Sequence, residues 1–138
     1  LVSFHGSIYA IGGDNSKSVE RYSPLVNQWS YVTSTRYTYG QAGTAVHQNK
    51  IYVLGNEGFE VFHPESDTWQ ELPALNIGSG LQLASVNGRL LALGVGEGIH
   101  KNTGSKTVYE FNTANNSWIH LKDMDVARYL YRAVVVNL

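Results

Sequence analysis

The feature that most constrains this chain is the placing of its three tryptophans. Counting back seven residues from Trp29, Trp69 and Trp118 gives Tyr22, Phe62 and Phe111, an aromatic ring every time. The residues between are Ser-Pro-Leu-Val-Asn-Gln, His-Pro-Glu-Ser-Asp-Thr and Asn-Thr-Ala-Asn-Asn-Ser, rich in turn formers, with proline two residues after the aromatic in the first two copies. Each set reads as a strand, a tight turn and a returning strand. Upstream of each lies an apolar run ending in glycine: Ile8-Tyr9-Ala10-Ile11-Gly12, Ile51-Tyr52-Val53-Leu54-Gly55 and Leu90-Leu91-Ala92-Leu93-Gly94. A strand with one wet face alternates apolar and polar residues, so runs without alternation belong to strands covered on both faces. His5-Gly6-Ser7, Gln48-Asn49-Lys50 and Asn87-Gly88-Arg89 precede these runs, and Asn-Gly suits a type I′ hairpin, so a further strand comes before each turn.

Four strands per unit result, lettered a to d in chain order. Strand a covers Thr44 to His47 and Leu81 to Val86, and strand b is the run ending in glycine. Strand c covers Val19 to Tyr22, Glu60 to Phe62 and Thr107 to Phe111; strand d covers Trp29 to Val32, Trp69 to Leu72 and Trp118 to Leu121. His5, Gln48, Asn87 and Asn137 align in the a-b turn, at steps of 43, 39 and 50 residues. A repeat of this length is the mark of a modular architecture. Fourteen glycines and three prolines, with no 3.6-residue apolar stripe, point to an all-β chain.

Composition removes whole classes of function. The 138 residues carry ten Lys and Arg against eleven Asp and Glu, a formal charge of -1, so no basic field draws nucleic acid or an anionic membrane. Only 15% of residues are charged and 43% are hydrophobic, which suits a folded chain. There is no cysteine, which excludes disulfides and thiolate sites and permits a reducing compartment; the expected location is the cytoplasm. No apolar run reaches the roughly 18 residues of a membrane span. The chain opens at Leu1, inside a strand-like stretch, and is read as a segment of a longer one.

The Gly12-Gly13 pair closing strand b, then Val19-Glu20-Arg21-Tyr22-Ser23-Pro24, then Asn27-Gln28-Trp29, looks like a kelch repeat, and the other two copies follow the pattern over essentially the whole chain. The resemblance is greatest to the kelch domain of BTB-kelch proteins. It implies a β-propeller whose four-stranded antiparallel blades pack face to face around a channel, roughly five to seven of them when closed. Three complete blades, at about 1–32, 41–72 and 81–121, and the start of a fourth at about 129–138 make this roughly half a propeller. The rest would come from the parent chain, which would also cover the apolar faces of the terminal blades. The aromatic pairs should fill the wedges between blades and be buried in all three copies. Gly12 or Gly13 should be left-handed, and Asn56 and Val95, standing where the second glycine is expected, should relax the bend after Gly55 and Gly94.

Catalytic and cofactor signatures are missing, and the expectation is a non-enzyme without cofactor or metal. His5, His47, His63, His100 and His120 show no metal-site spacing. No nucleophile elbow or phosphate loop occurs, and Gly94-Val95-Gly96-Glu97-Gly98 follows a strand with no helix after it. Asp123 and Asp125 read as a solvated turn, and the Asn115-Asn116-Ser117 sequon falls in a c-d turn that the repeat explains. Copper-radical oxidases also use kelch-like propellers, but their site needs a cysteine that this chain lacks.

In a meander the a-b and c-d turns emerge at one end, and the b-c and d-a links at the other. The second set carries the unusual residues: Arg36-Tyr37-Thr38-Tyr39 and Arg128-Tyr129-Leu130-Tyr131 in two d-a links, and Glu97, His100 and Lys101 in the long link from Val95 to Lys106. Arginine and tyrosine are strong interface anchors. Arg36, Tyr37, Tyr39, Arg128, Tyr129, Tyr131, Glu97, His100 and Lys101 are therefore the candidate partner-binding residues. The alternative is that one tyrosine of each pair packs between blades while the arginine braces loop carbonyls. The resemblance to BTB-kelch adaptors implies a propeller that recruits a protein substrate to a cullin-based ubiquitin ligase. The second class is an actin-binding or actin-cross-linking protein, as kelch itself and scruin are.

Overall fold

Turn chemistry determines the local structure. In the three a-b turns among the described residues the two central residues take positive φ: His5 and Gly6 at 46° and 70°, Gln48 and Asn49 at 46° and 59°, Asn87 and Gly88 at 50° and 73°. That is the type I′ geometry whose twist matches the flanking strands. The c-d turns also repeat, with Asn27, Asp67 and Asn116 at φ 52°, 51° and 52°, each two residues before its tryptophan. Asn and Asp accept this conformation more readily than other side chains with a Cβ.

Between the turns the chain is strand. The computed structural model describes residues 1–14, 16–75, 81–94, 104–128 and 135. Blade 1 is β1 (Val2–Phe4), β2 (Ser7–Ile11), β3 (Val19–Ser23) and β4 (Gln28–Val32). Blade 2 is β5 (Gly43–His47), β6 (Lys50–Leu54), β7 (Phe59–His63) and β8 (Thr68–Leu72). Blade 3 is β9 (Gln82–Val86), β10 (Arg89–Leu93), β11 (Val108–Asn112) and β12 (Ser117–His120). Each blade is a four-stranded antiparallel meander in sequence order, and no helix occurs among the described residues. The architecture is that of a partial kelch propeller whose sheets do not close. The start of a fourth blade expected at about 129–138 lies outside the described residues except for Val135, which is in no strand.

Register places the repeated aromatics opposite each other: Tyr22 faces Trp29, Phe62 faces Trp69 and Phe111 faces Trp118. Their ring centroids lie 5.2, 4.9 and 4.9 Å apart. Across strand b the partners are Ile8, Ile51 and Leu90. These residues form the leading face of each blade, and in blades 2 and 3 it packs on the trailing face of the blade before. Phe62 and Trp69 join Phe4, Tyr9 and Val19 of blade 1, while Phe111 and Trp118 join Tyr52, Leu54, Phe59, Val61 and Leu72 of blade 2. The indoles of blades 2 and 3 also make the same hydrogen bond. Trp69 Nε1–H donates to the Thr33 carbonyl at 2.8 Å, and Trp118 Nε1–H to the Pro73 carbonyl at 2.7 Å. Both acceptors stand four residues after the tryptophan of the preceding repeat.

The middle blade is sandwiched, as its doubly apolar β6 requires, and Ile51, Val53, Leu54 and Phe59 are fully buried. Phe62 and Phe111 are buried and Trp69 and Trp118 half-buried, but the expectation that all three aromatic pairs are substantially buried fails in blade 1, where Trp29 is 50% exposed, Ile8 is 38% exposed and Tyr22 is half-buried. The reason is positional: the wedge belongs to two blades, and no described residues lie against the leading face of the first. Gly12 and Gly13 are left-handed at φ 66° and 96°, and a Cβ on Gly12 would strike the backbone of Tyr39. Gly94 keeps φ 73° although Val95 follows it, whereas Gly55 lies outside that region.

Identical residues at filled and unfilled positions give a direct comparison. Trp69→Ala should cost about 3 kcal/mol in urea unfolding and Trp29→Ala less than about 1 kcal/mol. Equal costs would contradict the face assignment.

Candidate functional site

The link from β4 to β5 crosses from blade 1 to blade 2 and is held at both ends. Thr33 N–H and its hydroxyl donate to the Asp67 carboxylate at 3.3 and 2.8 Å, and Thr35 N–H donates to the Lys17 carbonyl at 3.0 Å. Farther on, Tyr39 N–H donates to the Ser16 carbonyl at 3.1 Å, and the Tyr39 carbonyl accepts from Gly13 N–H at 2.7 Å. The d-a link is thereby sewn to the b-c link of blade 1, and the two kinds of link share one end of the blades. The same union recurs in blade 3, where Ser105 and Arg128 exchange two backbone hydrogen bonds of 2.9 Å each.

The centre of this arrangement is Glu60, a residue the sequence reading does not single out. It lies in β7 with 0% exposure, and no cation is paired with it among the described residues. A buried carboxylate must be met by donors. Three converge: Arg36 N–H at 3.0 Å, Tyr37 N–H at 3.4 Å and the Tyr39 hydroxyl at 2.9 Å. Burial, and then the adjacent Glu60 charge, push the Tyr39 phenol well above its ordinary value, so it stays a donor. The visible signal was a glutamate inside an otherwise apolar strand, Phe59-Glu60-Val61-Phe62.

With the backbone of Arg36 and Tyr37 clamped, the Arg36 side chain is exposed, and the Tyr37 ring, half-buried at the edge of the core between blades 1 and 2, brings its hydroxyl to the surface. Arg36 Nη1 stands 3.8 Å from Glu71 Oε2, both side chains more than half exposed, and the Tyr37 hydroxyl donates to the other Glu71 oxygen. That hydrogen bond is the main reason the Tyr37 phenol titrates above its usual value. The Tyr37 ring lies over Gly58, where a Cβ would collide with it. Tyr39 turns the other way, into the blade interface at 2% exposure and against Gly55, so its ring offers no surface. One tyrosine of the pair therefore packs between blades. Arg36 meets a carboxylate, where the alternative reading had it bracing carbonyls. Arg128 is exposed, and no contact joins it to Arg36 among the described residues. Glu97, His100, Lys101, Tyr129 and Tyr131 lie outside the described residues.

Four histidines have individual partners: His5 with Asn49 at 2.6 Å, His47 with Ser85 at 2.9 Å, His63 with Gln70 at 3.0 Å and His120 with Asp123 at 2.8 Å. No group of three His, Asp or Glu is placed to hold a metal ion among the described residues. A shallow groove of about 390 Å³, lined by 48–50 and 63–66, lies at the opposite end of blade 2, between its a-b and c-d turns.

The family model described as the kelch motif matches residues 1–36. Kelch repeat and BTB domain-containing protein 8 of Danio rerio is 30% identical over 134 residues, which cover 90% of this chain and 22% of that protein. The chain carries kelch repeats. Its kelch repeats are also similar to those of Kelch-like protein 36 of Rattus norvegicus, 33% identical over 85 residues, 51% of this chain and 14% of that one. Kelch repeat and BTB domain-containing protein 2 of Homo sapiens is 28% identical over 162 residues, 99% of this chain and 25% of that protein. The chain thus spans a quarter or less of the length of these relatives.

In this kelch segment the clamp makes Glu60 the most sensitive polar position of the link. Glu60→Gln turns an acceptor-only group into one that also brings N–H donors toward Arg36 and Tyr37, and should cost about 1 to 3 kcal/mol in urea unfolding. Tyr39→Phe removes one donor and should cost about 1 kcal/mol. An unchanged midpoint for Glu60→Gln would show that the three hydrogen bonds do not hold the link.

Proposed function

We propose that this segment is a non-catalytic protein-interaction module, the substrate-recognition part of a BTB-kelch adaptor for a cullin-based ubiquitin ligase, acting in the cytoplasm. The observation that carries the reading is the clamp: a fully buried carboxylate is committed to presenting Arg36 and the Tyr37 hydroxyl at the surface. A pre-ordered link loses less freedom on binding, and arginine and tyrosine supply large, directional contacts. The adaptor role draws on the relatives whose names carry both kelch repeats and a BTB domain. Arg128, exposed on the corresponding link after blade 3, is the second anchor; Glu97, His100, Lys101, Tyr129 and Tyr131 complete the candidate set as sequence positions.

The test is capture of protein partners by the full-length chain, with and without ligase inhibition, comparing wild type with Arg36→Ala combined with Arg128→Ala. Two anchors at about 2 kcal/mol each give a joint loss near a thousandfold if they add. The double variant should keep its melting temperature, because both side chains are exposed. Undiminished capture by a normally folded double variant would remove these arginines from the recognition site. Co-sedimentation with filamentous actin, unaffected by ligase inhibition, would favour the cytoskeletal reading instead.

A further inference from the structure

The two blade-to-blade interfaces use the same run of three rings, and one position in it differs in kind. Between blades 1 and 2, Phe4 meets Tyr9 at a centroid distance of 6.2 Å, and Tyr9 meets Phe62 of the next blade at 6.0 Å. Between blades 2 and 3, His47 meets Tyr52 at 5.9 Å, and Tyr52 meets Phe111 at 6.4 Å. Phe4 and His47 are equivalent, since each closes strand a just before its type I′ turn. The residue that meets this position from the next blade changes with it. Phe4 shares its core with Val46, whereas His47 Nδ1 lies 2.9 Å from the Ser85 hydroxyl, and Val46 and Ser85 hold the same place on their strands. An apolar pair at the first interface is thus replaced by a hydrogen-bonded polar pair at the second.

The imidazole is as buried as the phenyl ring at the equivalent position, 4% exposed against 5%. A cation there needs a counter-charge, and none is in place among the described residues. Of the strands packed against β5, β1 and β9 carry no ionisable side chain, and β5 carries none besides His47. On β6 stand Tyr52 and Lys50, the latter opposite His47 in the ladder and of the wrong sign, and on β10 stands Arg89, committed to Glu110 at 2.9 and 2.6 Å. His5, on the turn after β1, is held by Asn49. The Ser85 hydroxyl can turn to donate to a neutral ring or accept from a charged one, so it fixes the ring without favouring either form. Burial decides, and it holds the imidazole below its ordinary value. We propose that His47 makes the interface between blades 2 and 3 sensitive to acid: the neutral ring completes the packing, and protonation opens blade 3 from blade 2 while the first interface, with Phe4, holds. An exposed histidine takes up its proton near pH 6.5, and the buried ring does so only at lower pH. The open state therefore binds more protons between the two values, and the interface weakens as pH falls below about 6.5.

Amide hydrogen exchange of the full-length chain, resolved by residue and corrected for the intrinsic rate at each pH, tests this. Between about pH 7.5 and 5.5 the opening equilibrium read by the β9 and β10 amides should rise about fivefold, within the roughly tenfold limit for one group that titrates near 6.5 only when exposed. The matching amides of β1 and β2 should change by less than about twofold. His47→Phe, which installs the side chain used at the first interface, should abolish the rise, and so should His47→Gln, which keeps a polar partner for Ser85. The other four histidines are common to all three proteins, so the difference isolates His47. The His47 imidazole, followed by NMR in the folded chain, should titrate below about 6.5. No rise in the wild type, a rise that persists in either folded variant, or an imidazole titrating at or above that value would overturn the proposal.

Discussion

Everything in this structure depends on one contact, the fit of an aromatic pair on the leading face of a blade into the apolar trailing face before it. An isolated four-stranded meander has two faces to cover and no second layer. Blade 2 resolves this by being covered on both sides, and its central strands have no exposed apolar residue. The indole adds direction to an otherwise non-directional contact. Its N–H reaches a carbonyl on the loop leaving the previous blade, so burial of the ring and alignment of neighbouring blades are coupled. Stability in such an array is a sum of blade and interface terms, and a blade with one neighbour holds only part of it.

Glu60 connects that packing to the surface. It sits on the leading face of blade 2, two residues before Phe62, so the interface that buries the aromatic pair also buries the carboxylate. The donors that compensate it come from the link between blades, and meeting them decides which side chains of that link face inward. Tyr39 is drawn fully into the interface, while Arg36 is left outside and the half-buried Tyr37, packed at the edge of the core, turns its hydroxyl to Glu71. The shape of the candidate recognition surface is thus a by-product of satisfying a buried charge.

The strands and their partners were legible because their causes are local or periodic. A seven-residue aromatic spacing can be met only by a short reversal that sets Tyr22 opposite Trp29, and turn residues such as Asn87-Gly88 announce their φ angles. What lay beyond reach was set by neighbours distant in sequence. Trp29 and Trp69 have the same local context, yet among the described residues only the second has a blade packed against its face. Tyr37 and Tyr39 are equivalent by type and spacing. The choice between them is made by Glu60, 21 residues beyond the second. Nor does the tetrapeptide Arg36-Tyr37-Thr38-Tyr39 reveal that Glu71, on the next blade, will hold the arginine and the Tyr37 hydroxyl together.

Native-state hydrogen exchange, resolved by residue, tests most directly whether the blade interfaces hold the fold. If they do, protection should be highest for the amides of β6 and β7 in the doubly covered middle blade. It should fall outward, by about a hundredfold or more in exchange rate for the matching amides of β2 and β3, since sub-global opening of a terminal blade breaks one interface instead of two. Uniform protection across the corresponding strands of all three blades would contradict the account.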